Sequence, residues 1–318
     1  MRANAERLLN FGLRNIKATE DHRQGYIPLS RKFRSAILGR KRSLNVAPAA
    51  GAPAATPADP AEDRRFITAL ARGLALLRCF KPQDRWLAHQ ELARRTGLPQ
   101  ATVSRLSYTL TSLGYLRHRP ETGAYALSPA VLSLGFSVLS NFEIGRIARP
   151  FMEALAEHTQ AAVSLGVRHQ TEMVYVAHCR STARLILGLD VGMRLPLAET
   201  AMGRALWCAI SPGMRVLVGR QLEAADAARW PRRLQGLQRA AAAYAQRGYA
   251  SSESEWESEI AAIGVGIDIG DGREPLALTI GGAATRLSGA LLHGDFGPAL
   301  VRAGQAVTAA IQSADWRD

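Results

Sequence analysis

Gln100, Ala101, Thr102, Ser104, Arg105 and Tyr108 fall on the side of one amphipathic stretch that Val103, Leu106, Leu110 and Leu113 leave free. Side chains of these types reach base edges and phosphates when a helix lies in a DNA major groove. Arg117, His118 and Arg119 follow at the tip of a predicted hairpin, where they suit phosphate or minor-groove contact. Catalytic chemistry finds less support. The seven histidines, His22, His89, His118, His158, His169, His178 and His293, include no HExxH or comparable ligand spacing. His178 and Cys179 are neighbours on a predicted strand, so they point to opposite faces and make a poor nucleophile–base pair. Glu253, Glu255, Glu257 and Glu259 alternate, which on a strand would stack carboxylates as an acid/base set; an exposed acidic stretch is the reading taken. Gly264-Val265-Gly266 lacks the third glycine and helix start of a dinucleotide fingerprint. No enzyme, cofactor or metal is expected.

The elements that position these groups follow from periodicity. Phe66, Ile67, Leu70, Leu74, Leu77 and Phe80 predict a helix over 66–80, closed by Lys81-Pro82. A second short helix turns Leu87, Leu92 and Ala93 inward and Arg94 and Arg95 outward. Thr96-Gly97-Leu98-Pro99 is a turn, Pro99 suits the start of a third helix, and Gly114 stops it. Two strand-like runs then flank Pro120-Glu121-Thr122 as a β-hairpin. Helix, short helix, glycine turn, helix, hairpin is the layout of a winged helix-turn-helix over 61–127. Residues 128–142 read as a linker helix. Residues 143–318 read as α+β, with strands at 161–167, 173–178, 185–189, 262–269 and 276–281. Helices are expected at 143–159, 199–210, 212–222, 231–247 and 298–314. The last two strands pair antiparallel around Gly270-Asp271-Gly272.

Composition narrows the class. The 318 residues suggest about two domains. The chain carries 40 Lys+Arg against 27 Asp+Glu, a formal net charge of +13, which favours a polyanionic partner. Residues 1–60 hold eleven basic and four acidic side chains and end in an Ala/Pro-rich run. They read as a disordered basic extension with a semi-stiff linker. Cys79, Cys179 and Cys208 are too few and scattered for a disulfide scaffold. No membrane span and no secretory leader are recognisable, so a cytoplasmic location is expected.

Several stretches together resemble the IclR-type bacterial transcription regulators. They are RGLALLRCF at 72–80, LARRTGLPQATVSRLSYTLTSLGYL at 92–116, GAYALSPAVLSLG at 123–135, RLPLAETAMGRALW at 194–207, RGYASSESEWESEIAAIGVGI at 247–267 and LALTIGGAATRLS at 276–288. The combination covers nearly everything after residue 65. The resemblance implies a winged helix-turn-helix, a linker helix and a GAF-like effector-binding domain. Its implied partners are double-stranded DNA and a small-molecule effector, a small or aromatic carboxylate, in a homodimer or a dimer of dimers. It places effector contacts at Thr200, Ala201 and Met202, at Ser252, Ile260 and Ala262, at Thr279 and Gly281, and at Leu187. A helix start near Thr200 would offer free backbone N–H groups to a carboxylate, with Gly203 allowing close packing there. Arg184 could neutralise the same charge, although a solvated strand end suits it better. Two departures stand out. Ser251-Ser252 replaces an expected acidic residue, and Ile263-Gly264-Val265-Gly266 replaces a proline-bearing strand, which suggests a slightly different strand path. A ligand-sensing module whose helix-turn-helix serves protein contacts is the alternative; it predicts no salt-sensitive, sequence-selective DNA binding.

Overall fold

The computed structural model describes residues 65–180, 190–287 and 289–314, which fall into two compact units, one running to Leu134 and one from Gly135. The division falls inside a helix, Ala130–Ser140. The basic extension at 1–60 and the strand expected at 185–189, with Arg184 and Leu187, lie outside the described residues.

In the first unit, α1 (Thr68–Arg78), α2 (His89–Thr96) and α3 (Gln100–Ser112) enclose Leu76, Leu92, Val103 and Leu110, all buried. Gly97 takes the left-handed conformation at φ 67° and lets the chain leave α2 tightly. Gly114 does the same after α3, at φ 81°. Arg95 pins the helical turn by pairing with Asp84 at 2.5 Å and Glu91 at 2.6 Å. Two expectations are corrected. Leu87 is not helical: it forms a two-residue strand β1 (Leu87–Ala88) that pairs with β3 (Ala124–Leu127), which in turn pairs with β2 (Leu116–Arg119). Leu113 is 46% exposed because α3 ends before it and the chain turns away at Gly114.

The second unit holds α4 (Ala130–Ser140) beyond the division, α5 (Glu143–Thr159) and a six-stranded sheet, every pair antiparallel. Its strands are β4 (Ala162–His169), β5 (Glu172–Cys179), β6 (Arg194–Pro196), β7 (Ala250–Glu253), β8 (Ile260–Ile267) and β9 (Leu276–Ala283), in the order β6-β5-β4-β9-β8-β7. Helices α6 (Ala201–Ala209), α7 (Pro212–Ala225) and α8 (Trp230–Arg247) lie on one side, and α5 with the last helix α9 (Gly297–Ser313) on the other. Period-two alternation explains the layering. On β8, Ala261, Ile263, Val265 and Ile267 join the α5/α9 core, while Gly264 and Gly266 face α6. A Cβ at Gly264 would sit 2.8 Å from the Ala201 carbonyl oxygen, and one at Gly266 would sit 2.3 Å from Cβ of Ala209. These glycines therefore make room for a helix. The strand itself runs in continuous register with β9. Nor do the four alternating glutamates share a strand: only Glu253 is in β7, and Glu255, Glu257 and Glu259 lie in the loop that follows.

Candidate ligand cavity and nucleic-acid interface

A small cavity of about 30 Å³, open to solvent on one side, lies between the sheet and the start of α6. It gathers Thr200, Ala201, Met202, Ser252, Ile260, Ala262, Thr279 and Gly281. These come from four separate parts of the chain and meet because β8 and β9 pair in register and α6 crosses above them. Leu187 lies outside the described residues. Sequence reasoning missed Ala162, Ser164, Tyr175, Leu195 and Trp256, which complete the lining.

The α6 start is built for closeness. Thr200 caps it, its Oγ1 accepting from the Gly203 N–H at 3.3 Å and donating to the Pro196 carbonyl at 2.8 Å. The N–H groups of Ala201 and Met202 stay outside the intrahelical ladder. Gly203 is obligatory: a Cβ there would sit 2.0 Å from the Leu197 carbonyl oxygen. Ser252 ties the opposite wall down, its hydroxyl donating to the Glu199 carbonyl at 2.8 Å.

Among the described residues, no charged side chain lines the cavity. A cation close in sequence to the lining residues is spent elsewhere. Arg204, buried at 5% exposure, makes a two-pronged bond to Glu255 at 2.6 and 2.7 Å and also donates to the Ser251 and Ala198 carbonyls. This contact holds Glu255 well below the usual carboxylate range and anchors the loop bearing Trp256 over the cavity. Hydroxyls supply the polar wall instead. Burial pushes Tyr175 up to about 12, so it remains a phenol able to donate. Ser164 lies beside it, with Oγ 2.9 Å from Nδ1 of His178. Burial, reinforced by the Arg180 charge, lowers His178 and keeps its imidazole neutral near pH 7. Cys179, next along the strand, is buried on the other side, and burial raises its thiol. The two therefore make no nucleophile–base pair.

In the first unit, Gln100, Ala101, Ser104, Arg105 and Tyr108 are exposed along one side of α3, with Thr102 half-buried at its start. Tyr108 is 75% exposed, a large aromatic turned to solvent beside Arg105. Arg117, His118 and Arg119 are exposed too, but they are not at the hairpin tip. They form β2, and the turn is 120–123. Strand alternation separates them: His118 stacks on Tyr125 at 4.6 Å, and Arg117 and Arg119 share the other face.

Residues 69–120 match the IclR helix-turn-helix domain, and residues 136–309 match the C-terminal domain of the bacterial transcriptional regulator IclR. The chain belongs to the IclR family of bacterial transcriptional regulators. It is 32% identical to the HTH-type transcriptional regulator TsaQ1/TsaQ2 of Comamonas testosteroni, over 78% of this chain and 90% of that one. It is 31% identical to the Pca regulon regulatory protein of Pseudomonas putida, over 76% and 83%. A crystal structure of an IclR family transcriptional regulator from Brucella abortus superposes with a TM-score of 0.69 at 36% identity, covering 79% of this chain and 94% of that one. As an IclR-family protein it is a DNA-binding regulator with a C-terminal effector domain, and not an enzyme. Helix α3 thus lies within the matched helix-turn-helix domain, and the cavity lies within the matched C-terminal domain.

Proposed function

We propose that this IclR-type regulator reads operator DNA with α3 and the β2–β3 wing as a cytoplasmic homodimer or dimer of dimers, and that the cavity takes a small or aromatic carboxylate. One observation carries the effector reading. Eight residues implied by family resemblance surround one cavity whose wall is the N-terminal turn of a helix. With no lysine or arginine lining it among the described residues, the carboxylate charge would be met by the Ala201 and Met202 N–H groups and the helix dipole. Tyr175 and Trp256 supply flat aromatic walls. Exposed apolar side chains on α1 (Leu70, Leu74) and α4 (Leu132, Phe136) support assembly of copies. Effector binding would alter the spacing of the two winged helices on paired half-sites, with α4 as the mechanical link.

The test has two arms. The protein is titrated against the intergenic DNA beside its own gene across a salt series, with a scrambled competitor. Selective binding that weakens steeply with salt supports the DNA reading; binding that a scrambled duplex competes away equally refutes it. Gln100→Ala should cost about 1–3 kcal/mol at a single base position, while Arg105→Gln should weaken all sequences and flatten the salt slope by about 0.9. Thermal shift with benzoate and with pyruvate then reads the cavity. Stabilisation that Met202→Trp abolishes supports the carboxylate reading; stabilisation that survives it places the ligand elsewhere.

A further inference from the structure

The helix-turn-helix unit contains an aromatic group that neither the motif nor the family resemblance singled out. Trp86 lies one residue before β1, and its ring carries two cations. The guanidinium carbon of Arg119 is 4.2 Å from the ring centroid and that of Arg117 is 5.4 Å away. Both distances fall within the reach of about 6 Å over which a guanidinium is held by an aromatic face.

The register explains how the three meet. Leu87 pairs with Tyr125 and Ala88 with Ala124, so Trp86 stands level with Ala126. On the far side of β3, Ala126 pairs with Arg117 and Ala124 with Arg119. Trp86 and the two arginines are therefore separated by a whole strand, a span of about 9–10 Å. Only side chains that reach across β3 close that span. The residues beneath them are alanines, and they are buried at 8% and 2% exposure. Small residues at 124 and 126 leave a shallow trough for the indole and the arginine stems to cover. The opposite face of the same strands carries Leu87, Leu116, Tyr125 and His118. Among the described residues, neither Arg117 nor Arg119 makes an ion pair, so no carboxylate competes for them.

We propose that Trp86 is a positioning residue for DNA binding: its indole holds Arg117 and Arg119 side by side as a preformed phosphate-binding pair. Two like charges two residues apart on one strand face repel, and both side chains have much rotamer freedom. The ring face offsets the repulsion and restricts the heads before DNA arrives. The ordering cost is then met in folding and not at the binding step. Trp86 itself adds no charge, so it changes affinity without changing how many cations reach phosphates.

The proposal rests on the wing contacting DNA, and the experiment separates the two. Binding of the full-length protein to a fluorescein-labelled mixed-sequence duplex is followed by anisotropy across a salt series. R117Q/R119Q is expected to flatten the slope of log K against log salt by about 1.8. W86L keeps apolar cover over the alanines but removes the ring face. It is expected to weaken binding about tenfold at unchanged slope, and W86F to recover most of that loss. In the R117Q/R119Q background, W86L should have less than about a twofold effect, because the groups it positions are gone. Full affinity of W86L beside a weakened R117Q/R119Q overturns the role of Trp86. An equal loss from W86L in both backgrounds also overturns it, since the tryptophan then acts through the fold alone. An R117Q/R119Q protein with unchanged affinity and slope sinks the wing reading itself. If W86L does not fold, R117K/R119K replaces it. Lysine keeps the charge without the planar stack, so about a fivefold loss at unchanged slope supports the proposal and full affinity refutes it.

Discussion

Gly203→Ala should damage the effector domain although alanine is the better helix former. Propensity alone would favour alanine by about 1 kcal/mol within a helix. At this position the new Cβ would stand 2.0 Å from the Leu197 carbonyl oxygen and 2.4 Å from its Cα. Those are backbone atoms, so no rotamer change relieves the overlap. Either α6 shifts away from the 197–200 segment or the segment itself moves. Both routes strain the Thr200 cap, whose Oγ1 bridges Gly203 N–H and Pro196 O. Overpacking typically costs about 1–3 kcal/mol, and an overlap with backbone atoms that no rotamer relieves belongs in the upper part of that range, about 2–3 kcal/mol, which leaves a net loss of about 1–2 kcal/mol after the propensity gain of about 1 kcal/mol. For a unit of this size that is a fall in Tm of about 2–8 °C. Gly213 supplies the control. It lies in α7, and a Cβ there meets nothing within 4 Å, so Gly213→Ala should hold or raise Tm. Thermal unfolding of both full-length variants, followed by tryptophan fluorescence, reads the difference. A Gly203→Ala protein as stable as the parent would refute the claim that the α6 start is set by backbone contact. So would a Gly213→Ala protein that loses as much.

Thr200→Val should cost about 1 kcal/mol by removing the cap, and benzoate should then stabilise the protein less than it stabilises the parent; thermal shift reads both. Arg204→Met should cost about 1–3 kcal/mol. It strands the buried Ala198 carbonyl and the half-buried Ser251 carbonyl, while half-exposed Glu255 finds water, so R204M/E255Q should be little worse than R204M in chemical denaturation. The helix-turn-helix unit should weaken in acid. Hydrogen bonds from Arg94 and then Arg95 hold Glu91 at about 2, and Arg95 lowers Asp84. Carboxylates depressed in the folded state stabilise it fully above their unfolded values of about 4, and that contribution fades as pH falls towards 2. Melting followed between about pH 6 and pH 3 should therefore decline, and Glu91→Gln should flatten the decline; an unchanged slope would show that these pairs do not act in folding.

Local signals and long-range register divide what the sequence makes legible from what it hides. The α3 face follows from spacing, because Val103 and Leu110 turn inward at helical period and leave Gln100, Ser104, Arg105 and Tyr108 outside. Gly97 and Gly114 punctuate it through their positive φ, a property of glycine that no neighbour alters. The wing was harder. The Leu87-Ala88 pair is too short to show strand alternation, and its pairing with Tyr125 and Ala124 spans nearly forty residues of chain. The same blindness hid Trp86, whose partners lie two strands away.

The cavity shows that limit at its sharpest. Thr200, Ser252 and Thr279 could be proposed because the motifs around them resemble those of a known family. Tyr175 and Ser164 could not, although both line the same space. They enter it through the β4–β5 hairpin, where the register shifts between Leu165 and Gly166. A bulge re-aims side chains, so simple alternation along β4 and β5 does not predict which of them face the cavity. Arg204 was hidden for a different reason. An arginine in the first turn of a helix reads as a solvated group and as an unfavourable one for the dipole. It is buried because Glu255, some fifty residues on, meets it with both carboxylate oxygens. That pairing removes the cation from the cavity wall. Among the described residues, the donors left to a bound carboxylate are then N–H and O–H groups, a softer field than a guanidinium would give. Such a site discriminates by shape and hydrogen-bond pattern more than by charge. Placing a second cation there, as in Ser252→Lys, should therefore broaden the range of anions that shift Tm, and a range no wider than the parent's would show that Ala201 and Met202 do not hold the anion.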